Sequence, residues 1–147
     1  MPRGRYSETE KRAVEIVCQG EIERGWEPSA LLGQHAQHKE GCDLLSTPPG
    51  GGAPHAIEVK GWGEPLLQPD GSFTYPADVN TEQLQRAAHD PTWRLEIVAN
   101  LDAVDAGTGE VERLTLNAEE VVARALRWRY RVPLEGLADR IDRASRP

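Results

Sequence analysis

The chain predicts a single mixed α/β domain. Three observations carry that reading. A capped, amphipathic segment opens the chain at Ser7. Short apolar runs bounded by Gly- and Pro-rich turns follow it. A second capped segment interrupts those runs near residue 80. At 147 residues the length suits one domain with a sizeable core. The predicted order is α-β-β-β-β-α-β-β-α, a mixed central sheet flanked by helices, with a core over about residues 7–116 and extra C-terminal helices over about 117–144.

Ser7-x-x-Glu10 has the capping-box spacing, and Gly25 stands where a helix stop belongs, so residues 7–24 read as the first helix. At about 100° per residue, Glu10, Ala13, Val14, Val17 and Glu21 share one narrow sector, while Glu15 and Glu23 fall outside it. A carboxylate on an apolar stripe is costly unless it is paired or metal-bound, which singles out Glu10 and Glu21. Residues 26–40 read as irregular, with a short turn near 29–32. Residues 41–47 and 55–62 read as two strands joined by the Pro48-Pro49-Gly50-Gly51-Gly52 turn. That turn has no following Lys-Ser/Thr and opens no helix, so it is not a phosphate-binding loop. Pro69-Asp70-Gly71-Ser72 predicts a second hairpin between residues 66–67 and 73–75. Asn80 or Thr81 caps a helix ending at Asp90-Pro91. Residues 93–101 alternate as a strand with Leu95, Ile97 and Ala99 on one face, and residues 110–116 read as the next strand. Asn117-x-x-Glu120 caps a helix to about residue 131, and Pro133 permits a short helix to about residue 144.

Charge excludes some functions. The net charge of −7 argues against a surface that binds nucleic acid everywhere. Residues 113–147 nevertheless carry eight arginines against five acidic residues, whereas the rest carries nine basic and nineteen acidic residues. Within that C-terminal part, Arg124, Arg127, Arg129 and Arg131 mix with aromatics and form the candidate nucleic-acid-binding patch, the alternative being the solvated face of an amphipathic helix. The first residues lack the apolar segment of a secretory signal, no apolar run approaches membrane-spanning length, and Cys18 and Cys42 make no disulfide framework. A cytoplasmic location without membrane contact is expected. His35-x-x-His38 with Cys42 supplies only three zinc ligands in a polar stretch and reads as a solvated loop.

One motif carries chemistry. Asp43 sits near one end of the first apolar run, and Glu58-x-Lys60 ends the next. On adjacent antiparallel strands those ends lie side by side, and Glu58 and Lys60, two apart, leave the same strand face. Two carboxylates and an ammonium then share one pocket. Carboxylates are hard oxygen ligands for Mg²⁺, and a lysine beside them can place a water or stabilise phosphate charge. The alternative is a cross-strand salt bridge.

With these residues placed, the chain resembles the PD-(D/E)xK nuclease superfamily. More narrowly, it resembles the domain family found at the C-terminus of the protein called NO VEIN and in many bacterial helicase- and restriction-associated proteins. The pieces that carry the resemblance are Glu10-x-x-Ala13, Glu21-x-x-x-Gly25, Gly41-x-Asp43-Leu44-x-Ser46, Ile57-Glu58-Val59-Lys60-Gly61, Thr81-Glu82-x-x-x-x-Ala87 and Leu95-x-Ile97-Val98-x-Asn100. Cys42 departs from the superfamily's Pro. The resemblance implies a restriction-endonuclease-like core and hydrolysis of nucleic-acid phosphodiesters, DNA foremost, in defence, restriction or repair. It implies one or two Mg²⁺ or Mn²⁺ ions held by Asp43, Glu58 and Glu10, with the Val59 carbonyl a further candidate ligand, and Lys60 orienting the attacking water. Glu21, and Glu82, Gln83 and Gln85 of the following helix, are secondary candidates. A helicase or restriction-system partner protein, or a homodimer, is the expected company. A catalytically silent nucleic-acid- or protein-binding module of the same fold is the alternative.

Overall fold

A computed structural model of the chain describes residues 7–31, 40–125 and 131–144. The elements are α1 (Glu8–Glu23), β1 (Glu27–Ala30), β2 (Leu44–Thr47), β3 (His55–Gly61), β4 (Ala77–Asp78), α2 (Thr81–His89), β5 (Arg94–Ala99), α3 (Leu101–Asp105), β6 (Val111–Asn117), α4 (Ala118–Arg124), β7 (Arg131–Val132), a 3-10 turn (Ala138–Arg140) and β8 (Asp142–Ala144). Six strands form one mixed sheet in the order β1-β2-β3-β5-β6-β8, and β4 pairs with β7 in a separate ribbon. Within the large sheet the central pair β3–β5 is parallel, and the other pairs are antiparallel. A parallel neighbour cannot be reached by a hairpin, so residues 62–93 cross over between β3 and β5 and carry β4 and α2 with them.

Helices cover both faces. Ala13, Val14 and Val17 of α1 pack on Leu44, Ile57, Val59, Val98 and Val111. Ala87 of α2 and Ala118 and Val121 of α4 pack on the opposite face, with Ala56, Leu95, Ile97, Leu114 and Leu116. Strand alternation therefore sends Ile57 and Val59 toward α1, and sends Ala56, Glu58 and Lys60 toward the other face. Among the described residues, no helix is long and apolar enough to cross a membrane.

Four expectations need correction. Residues 27–30 are not irregular: β1 pairs antiparallel with β2, from Glu27 opposite Thr47 to Ala30 opposite Leu44. Its polar, mostly exposed Glu-Pro-Ser-Ala carries no hydrophobic alternation, because it buries almost nothing. The second hairpin is a turn closed by a single bridge between Leu67 and Phe73. The helix after Asn117 ends at Arg124, where Ala125 turns to extended backbone (ψ 128°), and Arg131 lies on β7 beside Asp78. The helix expected after Pro133 is a single 3-10 turn followed by β8, which extends the sheet from β6. The extra C-terminal helices thus reduce to α4 and that turn among the described residues.

Candidate functional site

The site begins with Gly41. Its φ of +68° suits glycine, and a Cβ there would lie 2.5 Å from the Glu82 carbonyl oxygen of α2. Trp93 Nε1 donates to the Gly41 carbonyl at 2.9 Å inside the core. Cys42 is fully buried in the same cluster, and burial pushes its thiol up to about 12. It is core packing, and His35 and His38 lie outside the described residues. This anchoring delivers Asp43 to the edge of β3. Its backbone N–H donates to the Ile57 carbonyl at 2.9 Å, and its carboxylate accepts the Val59 N–H at 2.8 Å. Asp43 is thus a side-chain rung of the sheet, opposite Glu58.

Glu58 is buried (4% exposed) and stands 3.2 Å from Lys60 Nζ. Burial pushes its carboxyl up to about 8, with Lys60 opposing and Asp43 adding to the rise. Asp43 is raised too, again by burial, against the Val59 hydrogen bond and the Lys60 charge. The two carboxyls face each other, and their pairing raises Glu58 while opposing the rise of Asp43.

Glu10 arrives from the other side. Ser7 accepts the Glu10 N–H at 3.0 Å, but the reciprocal half of the capping box is not made. The Glu10 carboxylate accepts the Gly61 N–H instead, at the end of β3. Burial raises it to about 7, Lys60 pulls it down and Asp43 pushes it up. Gly61 allows this approach, since a Cβ there would lie 2.8 Å from the Thr9 carbonyl oxygen and 2.9 Å from Ala13 Cβ. From α2, Gln83 Oε1 accepts both the Asn80 N–H (2.9 Å) and Lys60 Nζ (3.4 Å), so the helix cap also tethers the lysine.

Asp43, Glu58, Lys60, Glu10 and Gln83 therefore meet. Glu82 and Gln85 do not join them and line a separate cleft with Glu40, Arg86 and His89. Glu21 does not reach the group either. Burial acts to raise its pKa, but hydrogen bonds from Arg24 and Ser46, with the Arg94 charge, outweigh it and hold the carboxyl below its usual range. Arg124 Nη1 donates to the carbonyls of Pro133 and Glu135 at 3.2 and 3.1 Å, a structural clamp. Arg127 and Arg129 lie outside the described residues. Arg131 lines a cleft of about 340 Å³ together with Glu10, Lys60, Trp62, Tyr75 and Asp78. The sequence reading missed that cleft wall, because residues 62–78 lack any periodicity. It also missed the buried Glu112, which accepts the Leu66 N–H at 2.8 Å and so fixes the loop that carries the wall.

Among the described residues, no three His, Cys, Asp or Glu side chains stand in an arrangement that holds a metal ion. The donor chemistry nonetheless suits a hard divalent cation: three crowded carboxyls, each raised by burial, face one lysine. The chain matches no family model, and neither curated proteins nor solved structures gave a match.

Proposed function

We propose that this domain is a PD-(D/E)xK-like nuclease that hydrolyses nucleic-acid phosphodiesters, DNA foremost, in a defence, restriction or repair setting. The observation that carries the reading is the convergence of Glu10, Asp43 and Glu58 from three separate segments on Lys60, at the rim of a cleft. Asp43, Glu58 and Glu10 would hold one or two Mg²⁺ or Mn²⁺ ions, with the Val59 carbonyl as a further candidate ligand. A bound cation would supply charge neutralisation at the phosphate and a lowered pKa for its water. The chain's own contributions are distinct. Asp43 is locked by the Val59 N–H, so its carboxylate is preorganised. Lys60, held between Glu58 and Gln83, places a positive charge where an attacking water or a phosphate oxygen would lie. Glu58, mostly protonated near pH 7, and Glu10, about half protonated there, must lose their remaining protons before they can serve as anionic ligands. A homodimer, or a helicase or restriction-system partner, would provide the second centre that double-strand cleavage needs.

The second reading is a non-cleaving binding module. The close contacts of Lys60 with Glu58 and Gln83 favour it, because they give the lysine partners without a metal ion.

Titration calorimetry of Mg²⁺ and Mn²⁺ into wild type and Asp43→Asn, then plasmid and oligonucleotide cleavage on the same samples, tests the proposal. Asn keeps an oxygen for the Val59 N–H, whereas Ala would orphan that donor. The expected result is metal-dependent cleavage in wild type, with cleavage and metal binding both lost in Asp43→Asn at an unchanged far-UV spectrum. Metal binding without cleavage, or no metal binding even with nucleic acid present, moves the assignment to the binding module.

A further inference from the structure

The wall of the cleft facing Glu10 and Lys60 is aromatic. Trp62 and Tyr75 meet edge to face, with ring centroids 5.3 Å apart and planes at 87°. In that arrangement one ring gives only its edge, so neither ring is sandwiched by the other. Tyr75 is 43% exposed, one of the few large hydrophobic side chains of the described residues that remain so open. Its hydroxyl, away from the ring face, donates to Glu64 at 2.6 Å. Beyond the pair, Arg131 of the β4–β7 ribbon sits 4.0 Å from Asp78, a loose pairing with both side chains about half or more exposed.

The wall is built rigidly. The Trp62 N–H donates to the Val98 carbonyl at 2.9 Å, the Asn100 N–H to the Glu64 carbonyl at 2.7 Å, and the Asp102 N–H to the Gly63 carbonyl at 3.0 Å. Leu66 is fully buried, and the Thr74 N–H returns to its carbonyl at 2.8 Å. Trp62 is thus held on backbone tied to the C-terminal end of β5, and Tyr75 follows a residue tied to the buried Leu66, so much of the ordering cost of presenting the rings is met before any ligand arrives.

Aromatic faces beside cationic side chains are the combination that single-stranded nucleic acid requires. Bases stack on rings, and phosphates pair with Lys or Arg. Bases in an intact duplex are already stacked and offer no free face. We infer that the Trp62–Tyr75 wall receives an unpaired nucleobase, with Arg131 taking a flanking phosphate. The substrate class of the site is then single-stranded, frayed or flipped nucleic acid rather than uninterrupted duplex. This rests on the nuclease reading only for the presence of a scissile phosphate beside Lys60; the stacking itself does not need hydrolysis.

The test is fluorescence anisotropy with labelled single-stranded DNA, single-stranded RNA and blunt duplex DNA of equal length, in Ca²⁺, for wild type, Tyr75→Phe, Tyr75→Ala and Trp62→Ala. Tyr75 is exposed, so its variants should fold even if Trp62→Ala does not. Expected are single-strand binding at least tenfold tighter than duplex binding, a loss of about tenfold in Tyr75→Ala, near-wild-type binding in Tyr75→Phe, and little change for duplex in any variant. The DNA and RNA arms identify which strand is preferred. Equal affinity for single strand and duplex, or unchanged single-strand binding in Tyr75→Ala, overturns the inference while leaving the nuclease reading intact. Stacking-dependent binding by a protein that cleaves nothing in Mg²⁺ or Mn²⁺ supports the inference and sinks the nuclease reading alone.

Discussion

Asp43 does two jobs with one carboxylate, closing a sheet rung and facing Glu58, and this coupling makes the site sensitive to pH. Glu58 and Glu10 have folded-state pKa values raised to about 8 and about 7 from 4.5. A raised carboxyl binds a proton in the fold that the unfolded chain has already released. Its contribution to stability is therefore full below about pH 4.5 and is lost as pH rises through 7 to 8. The metal-free protein should lose thermal stability between pH 5.5 and 8.5. Glu58→Gln, a neutral isostere of the protonated acid, should flatten that slope. Melting curves in chelator across the range check this, and an unchanged slope in Glu58→Gln would show that the proton resides elsewhere. At this scale much of the group was readable from the chain. Period-two spacing put Glu58 and Lys60 on one face, and the helical wheel turned Glu10 inward. The diversion of Glu10 from its capping box to the Gly61 N–H was not readable, because it depends on how closely α1 approaches β3.

That approach is an element-scale property, set by one glycine. Gly61→Ala would place a methyl against the Thr9 carbonyl and Ala13. Both belong to one packed helix, so α1 itself must shift. A cost of about 1–3 kcal/mol is expected, along with weaker metal binding, because the displaced helix carries Glu10 with it. Chemical denaturation and calorimetry on the same variant measure both effects; a destabilised protein with wild-type metal affinity would remove Glu10 from the ligand set. The elements themselves were legible where burial imposes a pattern. The helix to Glu23, the β2–β3 hairpin, the capped helix α2, and β5 and β6 follow from stripes and alternation. Strand β1 was not legible, since an edge strand with exposed side chains leaves no periodic trace. The C-terminal region misled for the opposite reason: Asn117-x-x-Glu120 is a genuine capping box, but capping signals fix a start and say nothing of length. Arg131 was picked out for its charge on an expected helix, yet it lines the cleft from a two-residue strand.

At the scale of the whole molecule, a polar ladder joins α1 to the sheet. Arg94 Nη2 meets Glu21 at 2.9 Å and its Nε meets Glu96 at 2.8 Å; Ser46 donates to Glu21 at 2.8 Å, and Arg113 and Thr115 bind Glu96 at 3.0 and 3.1 Å. Glu21 and Glu96 are nearly buried (3% each). Arg94→Met leaves two carboxylates short of their shared cation and should cost about 3 kcal/mol, with the deficit shrinking in acid as Glu21, no longer held low by the Arg94 charge, takes up a proton. Urea titrations at pH 7 and pH 4.5 read this directly, and an equal loss at both values would assign the effect to packing instead. Strand alternation put Leu95, Ile97 and Ala99 on one face, and the pairing of Arg94 with Glu96 and Glu21 on the other became visible only with α1 lying over them. The Pro48-Pro49-Gly50-Gly51-Gly52 turn stands at the opposite end of β3 from Glu58 and Lys60, and side chains added at Gly50 or Gly51 would meet nothing within 4 Å. Lengthening a flexible loop costs little closure entropy, and exposed tips of small residues accept inserted sequence. The protein therefore carries a natural attachment point, where a fluorophore, an affinity tag or a programmable DNA-targeting module can be spliced in without touching the cleft.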